Sequence, residues 1–281
     1  MMIYLSTGGF RDTSALETLK MFVKNKILSV ELSAGKYSKN QIQKLRKIKN
    51  VKKIMHNYFP PPKEPFVINI ASSNNKILSK SLKHIKKAID ISKLIGAKDY
   101  SFHPGFVTDI SPREIGVLTK TTNFNNREAC IQRVVKNLKL LSKYAKKKGV
   151  RLLIENNVMK KSSYDYLRKD TTIMSTPKEI NFIMERVPKN IKLLMDVAHL
   201  KVSSNVLGFD KVKAFKSVKK WIRAYHLSDN DGIHDSNDCF RKNSWFVGLI
   251  SKKKIRFATV EVYENDVKKL LSQVKIAKGF F

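Results

Sequence analysis

Cysteine is nearly absent, with Cys130 and Cys239 the two examples in 281 residues. They stand far apart and outside any CxxC spacing, which argues against a disulfide framework and a cysteine zinc site, and fits a reducing compartment. Long apolar runs are missing too. No segment approaches the roughly 20 apolar residues of a membrane span, and the apolar stretch within residues 1–10 is too short for a secretory leader, so a soluble, cytoplasmic protein is expected. Neither a Gly/Ser linker, a break in composition nor a repeat divides the chain, and one domain over residues 1–281 is the economical reading.

Acidic residues are the third shortage. Against 56 Lys and Arg stand 23 Asp and Glu, a formal net charge of +33. Such a charge favours association with phosphate, in nucleic acid or on a metabolite. The lysines, however, are spread through helix-like segments at residues 44–53, 80–93, 136–148, 211–220 and 268–278, as on solvated outer helix faces. The chain is also rich in Asn and Ile, as an AT-rich coding sequence would make it. We therefore read the charge as a general surface property, which leaves nucleic acid the less favoured partner.

What the chain does have is a recurrence: six short apolar runs, each ending in a side chain able to bind metal. They are Lys53-Ile54-Met55 before His56, Tyr100-Ser101-Phe102 before His103, and Leu152-Leu153-Ile154 before Glu155. Leu193-Leu194-Met195 precedes Asp196, residues 222–225 precede His226, and Ala258-Thr259-Val260 precedes Glu261. Buried parallel strands read as near-continuous apolar segments, and a barrel of such strands gathers its reactive groups at their carboxyl ends. Strand-like and helix-like segments alternate throughout, which is the pattern of βα units. The length suits an α/β fold, a (β/α)8 TIM barrel of about 250 residues with modest insertions.

Strands are predicted at residues 3–6, 29–32 (with Glu31 near the mouth), 151–155, 191–196, 221–226 and 257–261, with two more ending at His56 and His103. Helices are predicted after a cap at Thr13 or Ser14, from Ser38, over 76–94 and over 125–148, where Gly149 stops the last. Tyr58-Phe59-Pro60-Pro61-Pro62 must be loop, because proline lacks the amide donor and clashes with a preceding turn. Residues 227–256 show no clear amphipathic helix. A strand-end Asp is often the N-cap of the next helix and a lone His is often structural, but six such residues on consecutive strands point to a divalent metal site.

The ordered set His56, His103-Pro104-Gly105, Glu155-Asn156, Asp196-x-x-His199, His226-Leu-Ser-Asp229 and Glu261 resembles the superfamily of xylose-isomerase-like TIM barrels, across about residues 3–274. That superfamily holds sugar isomerases and epimerases and the barrel-type AP endonucleases. By resemblance to the ketose epimerases, Glu155, Asp196, His226 and Glu261 would hold one divalent ion, Mn or Mg for oxygen-rich ligation or else Zn. By resemblance to the endonucleases, His56 and His103 are a further ligand pair and His199 a third-zinc ligand. The remaining endonuclease pair, an Asp-x-His, is here Asp235-Ser236-Asn237, and an amide is a weak zinc ligand beside imidazole. His234 is a substitute to consider. The Gly-Glu-Gly segment common to both branches is replaced by residues 238–243, Asp-Cys-Phe-Arg-Lys-Asn.

The resemblance implies a metal-dependent isomerase or epimerase acting on a sugar, sugar phosphate or sugar acid. Glu155 and Glu261, on strands across the mouth, would be base and acid, and His199 would orient a substrate oxygen. His56, His103, His199 and Asp235 are candidates for a second metal or for substrate. Glu31 and Lys161 are candidates to contact substrate, Lys161 because a basic Lys160-Lys161 loop suits an anionic sugar. Tyr58, Phe59, Phe106 and Trp245 could pack on a sugar face. The alternatives are an abasic-site DNA phosphodiesterase and a barrel that binds without catalysis, against which intact Glu155 and Glu261 argue. A homo-oligomer is left open.

Overall fold

The computed structural model describes residues 1–114 and 117–281. The chain runs β1 (Met2–Ser6), α1 (Ala15–Lys24), β2 (Ser29–Leu32), α2 (Gln41–Lys47), β3 (Lys52–His56), α3 (Asn75–Ile95) and β4 (Asp99–Phe102). It continues through α4 (Arg127–Lys148), β5 (Arg151–Glu155), α5 (Lys161–Leu167), α6 (Pro177–Arg186) and β6 (Lys192–Asp196). The last elements are α7 (Val197–Leu207), α8 (Lys211–Val218), β7 (Ile222–Leu227), β8 (Phe257–Val260) and α9 (Val267–Lys278). All eight strands pair in parallel with their sequence neighbours, and β8 pairs β1 to close the (β/α)8 barrel.

Local chemistry accounts for the helix ends. Ser14 caps α1 in a reciprocal box with Glu17, the arrangement that satisfies two orphan amides at once. Gly96 and Gly149 close α3 and α4 in the left-handed conformation, where a side chain is penalised. The helix expected from Ser38 starts instead at Gln41, because Asn40 adopts φ +62 and the preceding residues form a turn. Residues between β7 and β8 carry no α-helix among those described, as expected. Among the described residues no helix is long and apolar enough to cross a membrane.

The strand period of two explains how one chain makes both a core and a site. Outward residues such as Met55, Leu152, Ile154, Leu193, Met195, Tyr225 and Ala258 pack under the helices. Inward residues Tyr4, Ile54, Leu153, Leu194, Ala224 and Phe257 meet inside the barrel as a separate apolar layer. Two residues further along each strand, on the same inner face, come His56 after Ile54, Glu155 after Leu153, Asp196 after Leu194 and His226 after Ala224. Thr259 and then Glu261 follow Phe257 in the same way. The metal-capable residues therefore stand one tier above an apolar floor.

Below that floor, Arg151 holds Asp99 through two parallel contacts, Nε to Oδ1 at 2.8 Å and a second from Nη2 to Oδ2. Arg256 adds a longer contact of 3.5 Å. Tyr4 and Phe257 cross above it edge to face, with ring centres 5.6 Å apart. In a barrel of this kind the amino-terminal ends of the strands serve stability and the carboxyl ends serve chemistry.

Candidate metal centre

A register shift between β6 and β7 at Leu193/Leu194 sets Asp196 directly opposite His226. Asn156, at the end of β5, locks the same level: its Nδ2 donates to the Asp196 carbonyl at 3.0 Å and its Oδ1 accepts from the Asp196 amide at 2.8 Å. Asp196 is also the N-cap of α7, with Oδ1 accepting from the His199 amide at 2.7 Å. The other oxygen, Oδ2, is buried and without a hydrogen-bond partner. One carboxylate thus starts a helix with one oxygen and faces the mouth with the other.

Glu155, Asp196, His226 and Glu261 each offer a ligand atom, all within 4.8 Å of one another. Glu31 Oε2, which as a carboxylate oxygen accepts, meets His226 Nε2 at 3.1 Å and Thr259 Oγ1 at 2.9 Å. The other ring nitrogen, Nδ1, lies 2.6 Å from Glu261 Oε2 and 3.2 Å from Glu155 Oε1. Nδ1 and both Glu155 oxygens are buried with no hydrogen-bond partner. A positive charge must lie between this nitrogen and the carboxylate oxygens around it, either a proton or a bound cation, and three carboxylates with one imidazole fit a divalent ion. A ligating imidazole whose other nitrogen is held by a carboxylate is the usual outer-sphere arrangement.

His56 and His103 flank this group, their Nε2 atoms 3.4 and 3.6 Å from Glu155 Oε2, and His56, His103 and Glu155 form a second cluster of ligand atoms. Ser101 Oγ meets His56 Nδ1 at 3.0 Å. His199 Nδ1 lies 3.1 Å from the Asn156 carbonyl, and its Nε2 lies 3.5 Å from Asp235 Oδ1. Burial pushes Glu155 up to about 7, with His226 and His199 pulling the other way. Burial holds His56 and His103 well below the ordinary imidazole range, helped by neighbouring imidazoles, so both are neutral donors. Burial opposes charge on His199 as well, but Asp196, Asp235, Glu155 and Glu261 outweigh it and raise it to about 9. Burial opposes charge on His226 too, but Glu31, Glu261 and Glu155 raise it well above the ordinary range, so the carboxylates of this site draw positive charge onto His199 and His226 while His56 and His103 stay neutral.

The sequence profile of the xylose isomerase-like TIM barrel matches residues 16–256. The chain belongs to that family. This xylose isomerase-like barrel superposes on a D-tagatose 3-epimerase-like protein with a TM-score of 0.74 at 14% identity, covering 100% of this chain and 97% of that one. D-psicose 3-epimerase from Clostridium cellulolyticum H10, solved with D-tagatose, gives 0.66 at 12% identity, covering 100% and 98%. The IOLI protein with a bound zinc atom gives 0.67 at 15% identity, covering 100% and 96%. At such identities the likeness speaks to fold. Among curated proteins nothing matches the sequence.

Several expected site residues of this xylose isomerase-like barrel lie elsewhere or act otherwise. Glu31 is fully buried and is the hydrogen-bond partner of His226, and with His56 and His226 it forms a further group of ligand atoms. His234 cannot stand in for the missing third-zinc histidine: its ring is 74% exposed and bound to Asp231 at 2.7 Å. Asn237 is turned inward at φ +52, its Nδ2 donating to the Glu261 carbonyl at 3.0 Å, so it braces Glu261 from behind. Trp245 packs against Phe215 and Phe246 in the outer layer, and Phe59 is fully buried, so neither offers a sugar face. Lys161 lines a cavity at the mouth, but its ammonium is held by Asp165 at 2.8 Å. Asn156 has no task that composition or periodicity assigns. Its place directly after a strand-end Glu was the available signal.

Proposed function

We propose that the chain is a divalent-metal-dependent isomerase or epimerase acting on a sugar, sugar phosphate or sugar acid. The observation that carries this reading is the convergence of Glu155, Asp196, His226 and Glu261, with donor atoms within 4.8 Å of one another. Three carboxylates and one imidazole suit Mn or Mg, and also accept Zn. A bound ion would polarise a substrate carbonyl and offset the negative charge of an enediolate. Glu155 and Glu261 move the proton: one takes it from the carbon beside the carbonyl and the other returns it, from β5 and β8, with β6 and β7 between them. His199 orients a substrate oxygen. His56 and His103 either complete a second ion site through Glu155 or contact substrate. The epimerases among the structural neighbours support this reading.

A DNA phosphodiesterase reading draws on His56, His103, His199 and Asp235, but Asn237 and His234 leave its third metal without a full ligand set. Protein supplied with Mn in deuterated water should place deuterium at a carbon of some ketose or sugar phosphate and leave abasic duplex DNA uncut. Efficient incision with no exchange on any sugar would replace this proposal with the phosphodiesterase. A second expectation concerns Glu31. Glu31→Gln should weaken Mn binding about 10- to 100-fold by titration calorimetry, because His226 loses the charged acceptor that fixes its tautomer. Unchanged affinity would remove Glu31 from that role.

A further inference from the structure

Glu155, Asp196, His226 and Glu261 come from the ends of β5 to β8, and His56 and His103 from the ends of β3 and β4. Beyond Glu31, the sector that remains, at the ends of β1 and β2, is built from small residues. Ser6, Thr7 and Gly8 come from the first strand end and Ser33 from the second, all of them buried. Thr7 clips the two ends together, its amide donating to the Glu31 carbonyl at 2.9 Å and its Oγ1 accepting from the Ser33 amide at 3.0 Å. None of these residues has a task in the chemistry above.

Gly8 stands nearest the candidate acid or base. A Cβ built there would lie 3.4 Å from Glu261 Oε1 and 3.3 Å from both Ser6 Oγ and Ser33 Oγ, so three oxygens surround a point where the chain has no side chain. Gly8 is not among the residues of positive φ, and its backbone therefore does not call for glycine; the space does. The next residue differs in kind, because a Cβ on Gly9 would meet backbone, Tyr263 Cα at 3.1 Å and the Val262 carbonyl at 3.2 Å. Gly9 seats the loop on the end of β8, whereas Gly8 opens onto side chains of the site. The Glu261 carboxylate is divided accordingly: Oε2 lies 2.6 Å from His226 Nδ1, and Oε1 is the oxygen beside Gly8. Ser6 Oγ accepts from the Gly8 amide at 3.1 Å, which leaves its own proton free to donate.

We propose that the notch at Gly8 is a sugar subsite, which admits a neutral hydroxyl and the carbon that bears it to Glu261 Oε1, and that the missing side chain sets the size of the group accepted there. What Glu261 then does to the sugar rests on the isomerase or epimerase reading; the subsite itself does not. A hydroxyl donates and accepts at once, so it matches two serine hydroxyls beside a carboxylate oxygen. A phosphate or carboxylate in the same notch would face Glu261 Oε1 as a like charge. Gly8 is thus a specificity-determining residue, and Ser6 and Ser33 are the donors that hold the hydroxyl.

Ribitol, a neutral polyol with no carbonyl to isomerise, probes the notch without turnover. Its affinity for the Mn-loaded protein, read by titration calorimetry, should fall about tenfold or more in Gly8→Ala, where one methyl fills the notch. Ser33→Ala, which only removes an oxygen and so puts no strain on the fold, should lower it about five- to tenfold. Mn affinity should stay at the parent value in both, because Glu261 Oε2 and the other ligand atoms are untouched. Gly248→Ala is the control, exposed and with nothing within 4 Å of a built Cβ, and should change neither affinity. On any ketose that exchanges deuterium with the parent protein, Gly8→Ala should raise KM about tenfold or more. Ribitol affinity unmoved in both variants overturns the subsite, and so does loss of Mn from Gly8→Ala, which would make Gly8 a support for the ligand set instead. Gly8-dependent ribitol binding with no exchange on any sugar would sink the isomerase reading and leave the subsite standing. A parent protein that binds neither ribitol nor any ketose overturns both.

Discussion

Glu155→Gln is expected to hold no stoichiometric divalent ion and to lose deuterium exchange into any sugar the parent protein turns over. Loss of a general base alone costs about 10²- to 10⁴-fold. Here the same carboxylate is shared by two clusters of ligand atoms: Oε1 lies 3.2 Å from His226 Nδ1, and Oε2 lies 3.4 Å from His56 and 3.6 Å from His103. An amide keeps the shape but replaces one anionic oxygen with N–H groups that neither bind a cation nor accept a proton. The fold should survive. A fully buried carboxylate without hydrogen bonds opposes folding of the metal-free protein, so the metal-free variant should unfold at the same temperature as the metal-free parent or above it. Metal content by mass spectrometry, exchange by NMR and a thermal scan check the three parts. A variant that keeps both metal and exchange would displace Glu155 from the centre of the site.

The largest effect on stability is expected at Gly105, in the loop that follows His103. Gly105 adopts φ +116, and a Cβ there would stand 2.2 Å from Asn69 Oδ1 and 3.0 Å from Asn69 Cα. Asn69 ties this side of the mouth together: Oδ1 accepts from the amides of Ala71 and Phe106, and Nδ2 donates to the Thr108 carbonyl and to Asp109. The Gly105 carbonyl in turn accepts from Ile173 N at 3.1 Å and from Asn157 Nδ2 at 3.0 Å. Gly105→Ala should therefore cost about 1–3 kcal/mol in backbone strain and about 1–3 kcal/mol in overpacking, and lower the unfolding midpoint by on the order of 10 °C. Gly149→Ala is the matched control, since Gly149 also has a positive φ, +71, but nothing within 4 Å of a built Cβ. It should cost only about 1–2 kcal/mol. Equal shifts in the two variants would mean that the Asn69 contact carries nothing.

The barrel and the convergence of its polar residues were legible because strands buried on both faces leave little freedom: an apolar run followed by one ionisable residue has few other uses. Glu155, Asp196 and His226 could be placed before any geometry was known. Other residues act through contacts that sequence spacing does not encode. Asn69 lies in a segment with no periodic pattern, and its partners are as distant as Asp109. Glu31 sits on the right strand, but its hydrogen bond to His226 joins β2 to β7 across the barrel, which no spacing along the chain encodes. Trp245 falls in a helix-free segment that folds against the outer layer, where aromatic content alone says nothing of direction. Helix α5 is too short to show a period, whereas Thr176-Pro177 with Glu179 marks the start of α6 by its cap.

A tube stoppered at one end has one door. Tyr4, Ile54, Leu153, Leu194 and Phe257 fill the bore, and the Arg151–Asp99 clasp lies beneath them. Whatever reaches Glu155 must enter among the loops at the carboxyl ends of the strands, and it must leave the same way. Substrate and product therefore queue at one opening, and each obstructs the passage of the other.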